Sequence, residues 1–353
     1  MFKDLTLNLQ EEDYRNIPCI SYSFVSKFYR DGYSEIGNLL TSISSPSLSM
    51  GSLVDCLLTD KDNFYSRYYI ISGNVPTDAI VEIVKEILFM DGKVHSSLEE
   101  CLPTTIINAA NKFSYYTNWK DETRIKNIIE KGATYYSKLL EADNRTIVSE
   151  EDFAKADNSC RAIMDKFSYL FADSENREVL YQAQFKNDFY ALENWNGSYK
   201  FLVKGMMDCV VVDNEYKHIT IYDFKTTSSP EYMFINSYFK WGYYFQSYIY
   251  KKLIEKAIID TDYRHYDVNM HFVVVNPNNP HPLLFDDTLY SNMNVVELGI
   301  PNIQYIINQA DIVYKHITKE ETTYILPSVY NEDLSNNIFQ IMNNCKNLNI
   351  KIK

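Results

Sequence analysis

Apolar residues between Ser149 and Leu170 recur every three or four positions, at Phe153, Ala156, Cys160, Ile163, Met164, Phe167 and Leu170. That spacing lays them on one face of a helix, with Ser149 as its cap. Residues 200–213 (KFLVKGMMDCVVVD) and 218–227 (HITIYDFKTT) are different. Dense in β-branched and aromatic residues and separated by a polar turn, they predict two antiparallel strands of a hairpin. A strand is expected over 180–191, and the short apolar run His271–Asn276 reads as a buried strand. Helices are expected over 20–30, 47–58, 78–90, 104–115, 122–141, 240–256 and 301–318, and the Asn276–Pro282 segment (NPNNPHP) as a loop. The order is helix, three strands, helix, strand: an α/β core behind a helix-rich N-terminal half, without internal repeats or low-complexity linkers.

The hairpin carries the candidate chemistry. A turn centred on residues 214–217 brings Asp208 opposite Asp223, and alternation places Ile219, Ile221, Asp223 and Lys225 on one face. A slip of one residue would send the two acids to opposite faces. Two close carboxylates repel unless a cation lies between them. Hard oxygen donors favour Mg²⁺ or Mn²⁺, which lower the pKa of a bound water and neutralise charge on a phosphoryl group. Lys225 adds a positive charge beside the attacking water or a phosphate oxygen. Each residue also has a bland reading. An Asp at a strand end is commonly a turn residue, an edge-strand Lys a solubility device, and an Asp-x-Lys triplet arises by chance. In the helix over 240–256, Gln246 and Tyr250 lie four apart on one face. Alone they read as a core tyrosine beside an amide.

Acid, Asp-x-Lys and Gln-x-x-x-Tyr follow one another between Asp208 and Tyr250. This order resembles the PD-(D/E)XK nuclease superfamily, in its branch with a Gln-x-x-x-Tyr helix after the lysine strand. Ile20-Ser21-Tyr22-Ser23, with Phe28-Tyr29 following, resembles the opening of phage recombination exonucleases of the exonuclease VIII (RecE-like) type. Met50 to Leu58 resembles their Gly-x-x-x-His-x-x-Leu helix. Ala310 to Tyr330, ending in Ile325-Leu326-Pro327-Ser328-Val329-Tyr330, also has a counterpart. The likeness covers most of the chain in pieces, leaving 70–180 poorly matched.

The resemblance implies a restriction-endonuclease-like core, a central mixed sheet flanked by helices. In one elaborated nuclease domain, 1–70 would give N-terminal core helices, 71–178 a helical insertion, 179–330 the catalytic sheet with its helices, and 331–353 a tail. It implies Mg²⁺ or Mn²⁺ held by Asp208 and Asp223, joined by Asp55 and the backbone carbonyl of Phe224. Lys225 would orient or activate water, and Gln246 and Tyr250 would steady the lysine strand and contact DNA. Two departures stand out. Asp55 replaces the helix histidine, and Gln184 stands where the family often carries a metal-assisting glutamate. Carboxylate still binds Mg²⁺, whereas glutamine adds no charge. Asp55 has a bland reading as an exposed acid on an amphipathic helix. The implied substrate is duplex DNA digested from 5′ ends, as more distantly in lambda exonuclease. A single-strand annealing protein as partner and a homo-oligomer accompany that reading. Two alternatives share these residues: an endonuclease of restriction or repair type, and a nuclease fold that binds DNA or protein without activity, which the two departures favour.

Composition adjusts this picture. The 353 residues exceed a typical single domain, and a hydrophobic fraction of 46% supports a large core. Most of the 30 Tyr and 19 Phe are expected to pack, a few to stack on bases. A net charge of −13 opposes polyanion binding. Between Lys200 and Lys256, however, eight lysines face six acids, so a mildly basic site on an acidic body is expected. No run of 18 apolar residues suggests a membrane span and no apolar leader opens the chain, so a cytoplasmic protein is expected. Six cysteines at 19, 56, 101, 160, 209 and 345 form no Cys-x-x-Cys pair and read as reduced thiols. The six histidines show no metal-ligand spacing.

Overall fold

The computed structural model describes residues 1–32, 38–40, 46–73, 75–190, 200–287 and 303–318. The strip at 325–330, the tail at 331–353 and Cys345 lie outside the described residues. In chain order the elements are α1 (Glu11–Arg15), β1 (Ile20–Ser21), α2 (Tyr22–Asp31), α3 (Pro46–Thr59), α4 (Phe64–Arg67) and β2 (Tyr68–Ile71). Next come α5 (Asp78–Asp91), α6 (Pro103–Lys112), α7 (Asp121–Ala142), β3 (Thr146–Ser149) and α8 (Glu150–Phe167). Then follow β4 (Arg177–Tyr190), β5 (Lys200–Asp213), β6 (His218–Thr226), α9 (Phe234–Trp241) and α10 (Tyr243–Ile258). The described chain closes with β7 (Asp267–Val275), β8 (Leu283–Asp286) and α11 (Ile303–Thr318). It divides into two compact units, Met1–Asp55 with Ser159–Lys353, and Cys56–Asn158.

The larger unit is mixed α/β, a six-stranded mixed sheet with flanking helices. Antiparallel β4 pairs with β5 along its length, from Arg177↔Asp213 to Tyr190↔Lys200. The opposite edge of β5 is shared. Antiparallel β6 takes it from Asp213↔His218 to Cys209↔Tyr222, and parallel β1 takes it at Ile20↔Val203 and Ser21↔Lys204. Residues 205–208 therefore have no ladder partner on that edge. Parallel β7 and antiparallel β8 extend the sheet beyond β6. Helix α10 buries Phe245, Ile249, Leu253 and Ile254 in the same core as Val210, Val212, Ile219 and Ile221.

The turn at 214–217 falls where the hairpin pattern predicts. Asp213 fixes it by accepting from the backbone N–H groups of Glu215 (3.1 Å) and Tyr216 (2.9 Å). The expected helix over 240–256 is present as the unbroken α10, which starts at Tyr243. Gly242, at φ +66°, ends α9 and opens α10, a left-handed conformation that glycine adopts without a Cβ penalty. The short strands β1, β2, β3 and β8 were not expected, since each has too few residues to show a period.

In the smaller unit, β2 and β3 pair in parallel, and α5, α6 and α7 enclose Ile80, Ile83, Ile87, Leu98, Ile106 and Ile128. Helix α6 starts with Pro103 and stops at Lys112, short of the expected 115, because Ser114 and Tyr116 take φ of +52° and +42°. Ser149 caps α8 as predicted, accepting from the Asp152 N–H at 3.0 Å. Among the described residues no helix is long and apolar enough to cross a membrane.

Candidate active site

The site lies where β6 parts from β5. One step beyond the last ladder pair, Cys209↔Tyr222, Asp208 stands opposite Asp223. Backbone groups that lose their ladder partners must find others. The N–H of Phe224 donates to Asp208 Oδ2 at 2.8 Å, and the Tyr250 hydroxyl donates to the Met206 carbonyl at 2.9 Å. Gly205 makes the second contact fit: an added Cβ would lie 2.8 Å from Leu253 Cδ1 and 2.9 Å from Tyr250 Cε1.

Asp223 is 1% exposed. Lys225, two residues on and on the same face, forms an ion pair with its Oδ2. That contact is electrostatic, since Oδ2 has no partner in hydrogen-bonding geometry. Gln246, 3% exposed, donates from Nε2 to Asp223 Oδ1 at 2.5 Å, and its buried Oε1 has no hydrogen-bond partner. The Lys225 ammonium lies 5.1 Å from the Tyr243 ring centre and 5.9 Å from that of Phe272. Burial works against its charge, but Asp223, Tyr243 and Asp208 outweigh burial and hold its pKa above the usual lysine value.

The Asp208 carboxyl is pushed well above the usual carboxylate value, first by burial and then by the charges of Asp223 and Asp55, against smaller opposing effects of Lys225 and the Phe224 N–H. Asp55 thus lies within electrostatic reach of the hairpin acids. Helix α3 brings it there. Gly51, one turn earlier, sits so close to β6 that an added Cβ would be 3.4 Å from Thr226 Oγ1. Asp55 accepts from Gln182 Nε2 at 3.2 Å on both oxygens.

Asp55, Asp208, Asp223, Lys225 and Gln246 are therefore neighbours, and Phe224 joins them through its backbone. Tyr250 packs behind them. Its hydroxyl pKa is raised, above all by burial and next by Asp223, so it remains a donor. Gln246 and Tyr250 are both buried and turn their polar ends toward Asp223 and Met206. Gln184 is placed elsewhere: its Nε2 donates to the Leu9 carbonyl (2.9 Å) and its Oε1 accepts from the Leu9 N–H (3.0 Å). This clamp fixes the N-terminal segment on β4. Sequence reasoning passed over Gln182, which the β4–β5 register places opposite Asp208 and which the strand pattern alone would have found once that register was fixed.

A basic, aromatic rim adjoins the site. The Trp241 carbonyl, freed by the helix break, accepts from Tyr22 Oη (3.2 Å) and Ser26 Oγ (2.7 Å). Its indole ring is exposed, with the Arg30 guanidinium 5.1 Å and the Lys240 ammonium 4.7 Å from its centre. Tyr243 links the rim to Lys225, since both Lys225 and Arg30 act electrostatically on its hydroxyl. Lys204, counted with the basic stretch, is buried instead. Its Nζ donates to the carbonyls of Tyr14 (3.0 Å), Arg15 (2.8 Å) and Ile17 (2.8 Å), capping the end of α1.

The donor set suits a hard divalent ion: the oxygens of one buried and two half-buried carboxyls, with Asp223 and Asp55 both raising the pKa of Asp208. Among the described residues no three His, Cys, Asp or Glu side chains stand in a finished ligating constellation, and the nearest positive group to Asp223 is the Lys225 ammonium. The described cysteines are all buried.

No family model matches this chain, and no curated protein matches it. A solved structure titled "Crystal structure of SSO0001" is similar over 87% of this chain and 95% of that chain, at 9% identity and a TM-score of 0.25. A likeness this slight carries no argument about fold or function.

Proposed function

We propose that this chain is a divalent-metal-dependent deoxyribonuclease with a restriction-endonuclease-like core, acting on duplex ends. The observation that carries the reading is the meeting of Asp208, Asp223 and Lys225, braced by Gln246, at the unpaired stretch of β5. Structural ion pairs are common, but this one has a second, half-buried carboxyl, Asp208, under strong electrostatic pressure beside it.

Asp208 and Asp223, with Asp55 and the Phe224 carbonyl, would hold Mg²⁺ or Mn²⁺. Such an ion supplies Lewis acidity, lowering the pKa of a water and drawing charge from the phosphoryl oxygens. The chain's own groups do the rest. Lys225 stays cationic across the neutral range and can turn its charge to a phosphate oxygen as negative charge develops. Gln246 fixes the Asp223 carboxylate, and Tyr250 fixes the course of β5 through Met206. Arg30, Lys240 and Trp241 offer cations and an exposed ring to a sugar–phosphate chain and its bases, a local counterweight to the charge of −13. The 5′-end preference, an annealing partner and a homo-oligomer follow from the motif resemblance and belong to the same proposal.

The test is digestion of end-labelled linear duplex with Mg²⁺ or Mn²⁺. Wild type is expected to release label, and Asp223→Ala and Lys225→Ala to slow release by about 10²–10³-fold. If wild type and both variants behave alike with each metal, the enzymatic reading fails. Nicking of a closed circle would transfer the proposal to an endonuclease.

A further inference from the structure

In the smaller unit, helix α7 leads from an exposed aromatic ridge to an apolar groove. Tyr116 and Trp119, in the turn between α6 and α7, are 49% and 42% exposed. Their rings stack with centres 4.3 Å and planes 10° apart. The turn is held in a costly shape. Ser114 and Tyr116 take left-handed φ of +52° and +42°, each costing on the order of 1 kcal/mol. Buried Arg124 fixes it, donating from Nε to the Tyr115 carbonyl (2.9 Å) and from Nη2 to Asn111 Oδ1 (2.8 Å). Asn127 Nδ2 donates to the Tyr115 hydroxyl at 3.1 Å. Further along α7 a cavity of about 730 Å³ opens, lined by Pro103, Ile125 and Ile129 among the charges of Glu122, Lys126 and Glu130. Leu102, 59% exposed, precedes Pro103. Rigid Trp and Tyr side chains left in water near an apolar groove are typical anchors of an interface.

We propose that this face of the smaller unit docks on the same face of a second copy of the chain, the two α7 helices lying antiparallel about a two-fold axis at the level of residue 124. Glu122, Lys126 and Ile129 lie on one stripe of α7, and that stripe, extended back past the start of the helix, reaches Trp119. A two-fold interface must complement itself, and this stripe does so. Trp119 meets the partner's Ile129, so each ridge enters the other copy's groove. Glu122 meets the partner's Lys126, so both charges are matched twice. The charges also select the register. An axis at residue 126 would set Lys126 against its own copy and Glu122 against the partner's Glu130. An axis at residue 128 would match Lys126 with the partner's Glu130 but carry Trp119 beyond the groove. Because the turn is already fixed by Arg124, docking orders little that is not ordered beforehand. The surface falls within 70–180, which the nuclease motifs leave unmatched, so the inference does not depend on the nuclease reading.

The test is the mass of the full chain in solution, by sedimentation equilibrium from about 1 to about 100 µM at low salt. Wild type is expected to reach the mass of a dimer, and Trp119→Ala to weaken association at least about ten-fold. Glu122→Lys and Lys126→Glu, each alone, set like charges against one another at two places and are expected to weaken it about ten-fold or more. An equimolar mixture of these two single variants opposes unlike charges at both places again, and is expected to recover the wild-type mass. That recovery separates docking from a local effect on α7, because the altered charges within each helix are the same in the mixture as alone. A monomeric wild type over the whole range overturns the proposal and leaves the face to a different protein. A wild-type dimer that Trp119→Ala and both charge variants leave intact also overturns it, because another surface then makes the dimer. So does a mixture no heavier than the single variants.

Discussion

The surroundings of Asp208 oppose a charge on it, since burial, Asp223 and Asp55 all raise its pKa. A carboxyl whose pKa rises on folding favours the folded state while protonated and opposes it once ionised. In EDTA, Asp208→Asn is therefore expected to melt above wild type at neutral pH. The advantage should persist above the folded pKa and close as the pH falls through the usual value of 3.8, below which Asp208 is neutral in both states. Thermal scans from about pH 4 to pH 8 check this, and coincident melting across that range would contradict it. Mn²⁺ should raise the wild-type melting temperature and leave the variant's nearly unchanged. Lys204 shows the opposite economy: its charge is enclosed by three carbonyls at the end of α1 and takes no part in the site.

Among the elements, close approaches decide where glycine stands. Gly132 lies inside α7, where alanine would ordinarily be preferred by about 1 kcal/mol. Here an added Cβ would sit 2.8 Å from Val84 Cγ2 and 3.1 Å from Leu98 Cδ2, so α7 meets α5 through a position without a side chain. Gly132→Ala is expected to destabilise the smaller unit by about 1–3 kcal/mol despite its better helix propensity, as read by urea unfolding. A stabilised variant would mean that the helices move apart at little cost. Gly205 and Gly242 follow the same logic on either side of the site. The first admits the Tyr250 ring and the second separates α9 from the helix that carries Gln246, and neither reason is visible in the local pattern.

For the whole molecule, the question is how a chain of net charge −13 would approach DNA. On the proposed reading the approach is local, through Arg30, Lys240 and Trp241 beside Lys225. Reversing both cations, Arg30→Glu with Lys240→Glu, is expected to weaken binding of a labelled duplex about ten-fold at low salt, with Ca²⁺ in place of Mg²⁺ to suppress cleavage. The slope of log affinity against log salt should shrink by roughly 1–2, reflecting lost phosphate contacts. Unchanged affinity and slope would place the DNA path on another surface.

The strand-forming composition of residues 200–227 and the polar residues at 214–217 determined the hairpin and its turn, and the turn sets Asp208 facing Asp223, because side chains alternate along each strand from that point. Helical spacing likewise determined the cap at Ser149 and the shared face of Gln246 and Tyr250. Tertiary structure decided the remainder. Gln184 turned to Leu9, Gln182 turned to Asp55, and Lys204 turned inward to cap α1. Gly242 set the junction of α9 and α10 and left the Trp241 carbonyl for Tyr22 and Ser26. Periodicity specifies which side of an element faces the core. A polar side chain's partner depends instead on which donors and acceptors from distant parts of the chain arrive within about 3 Å of it, and no local pattern records that.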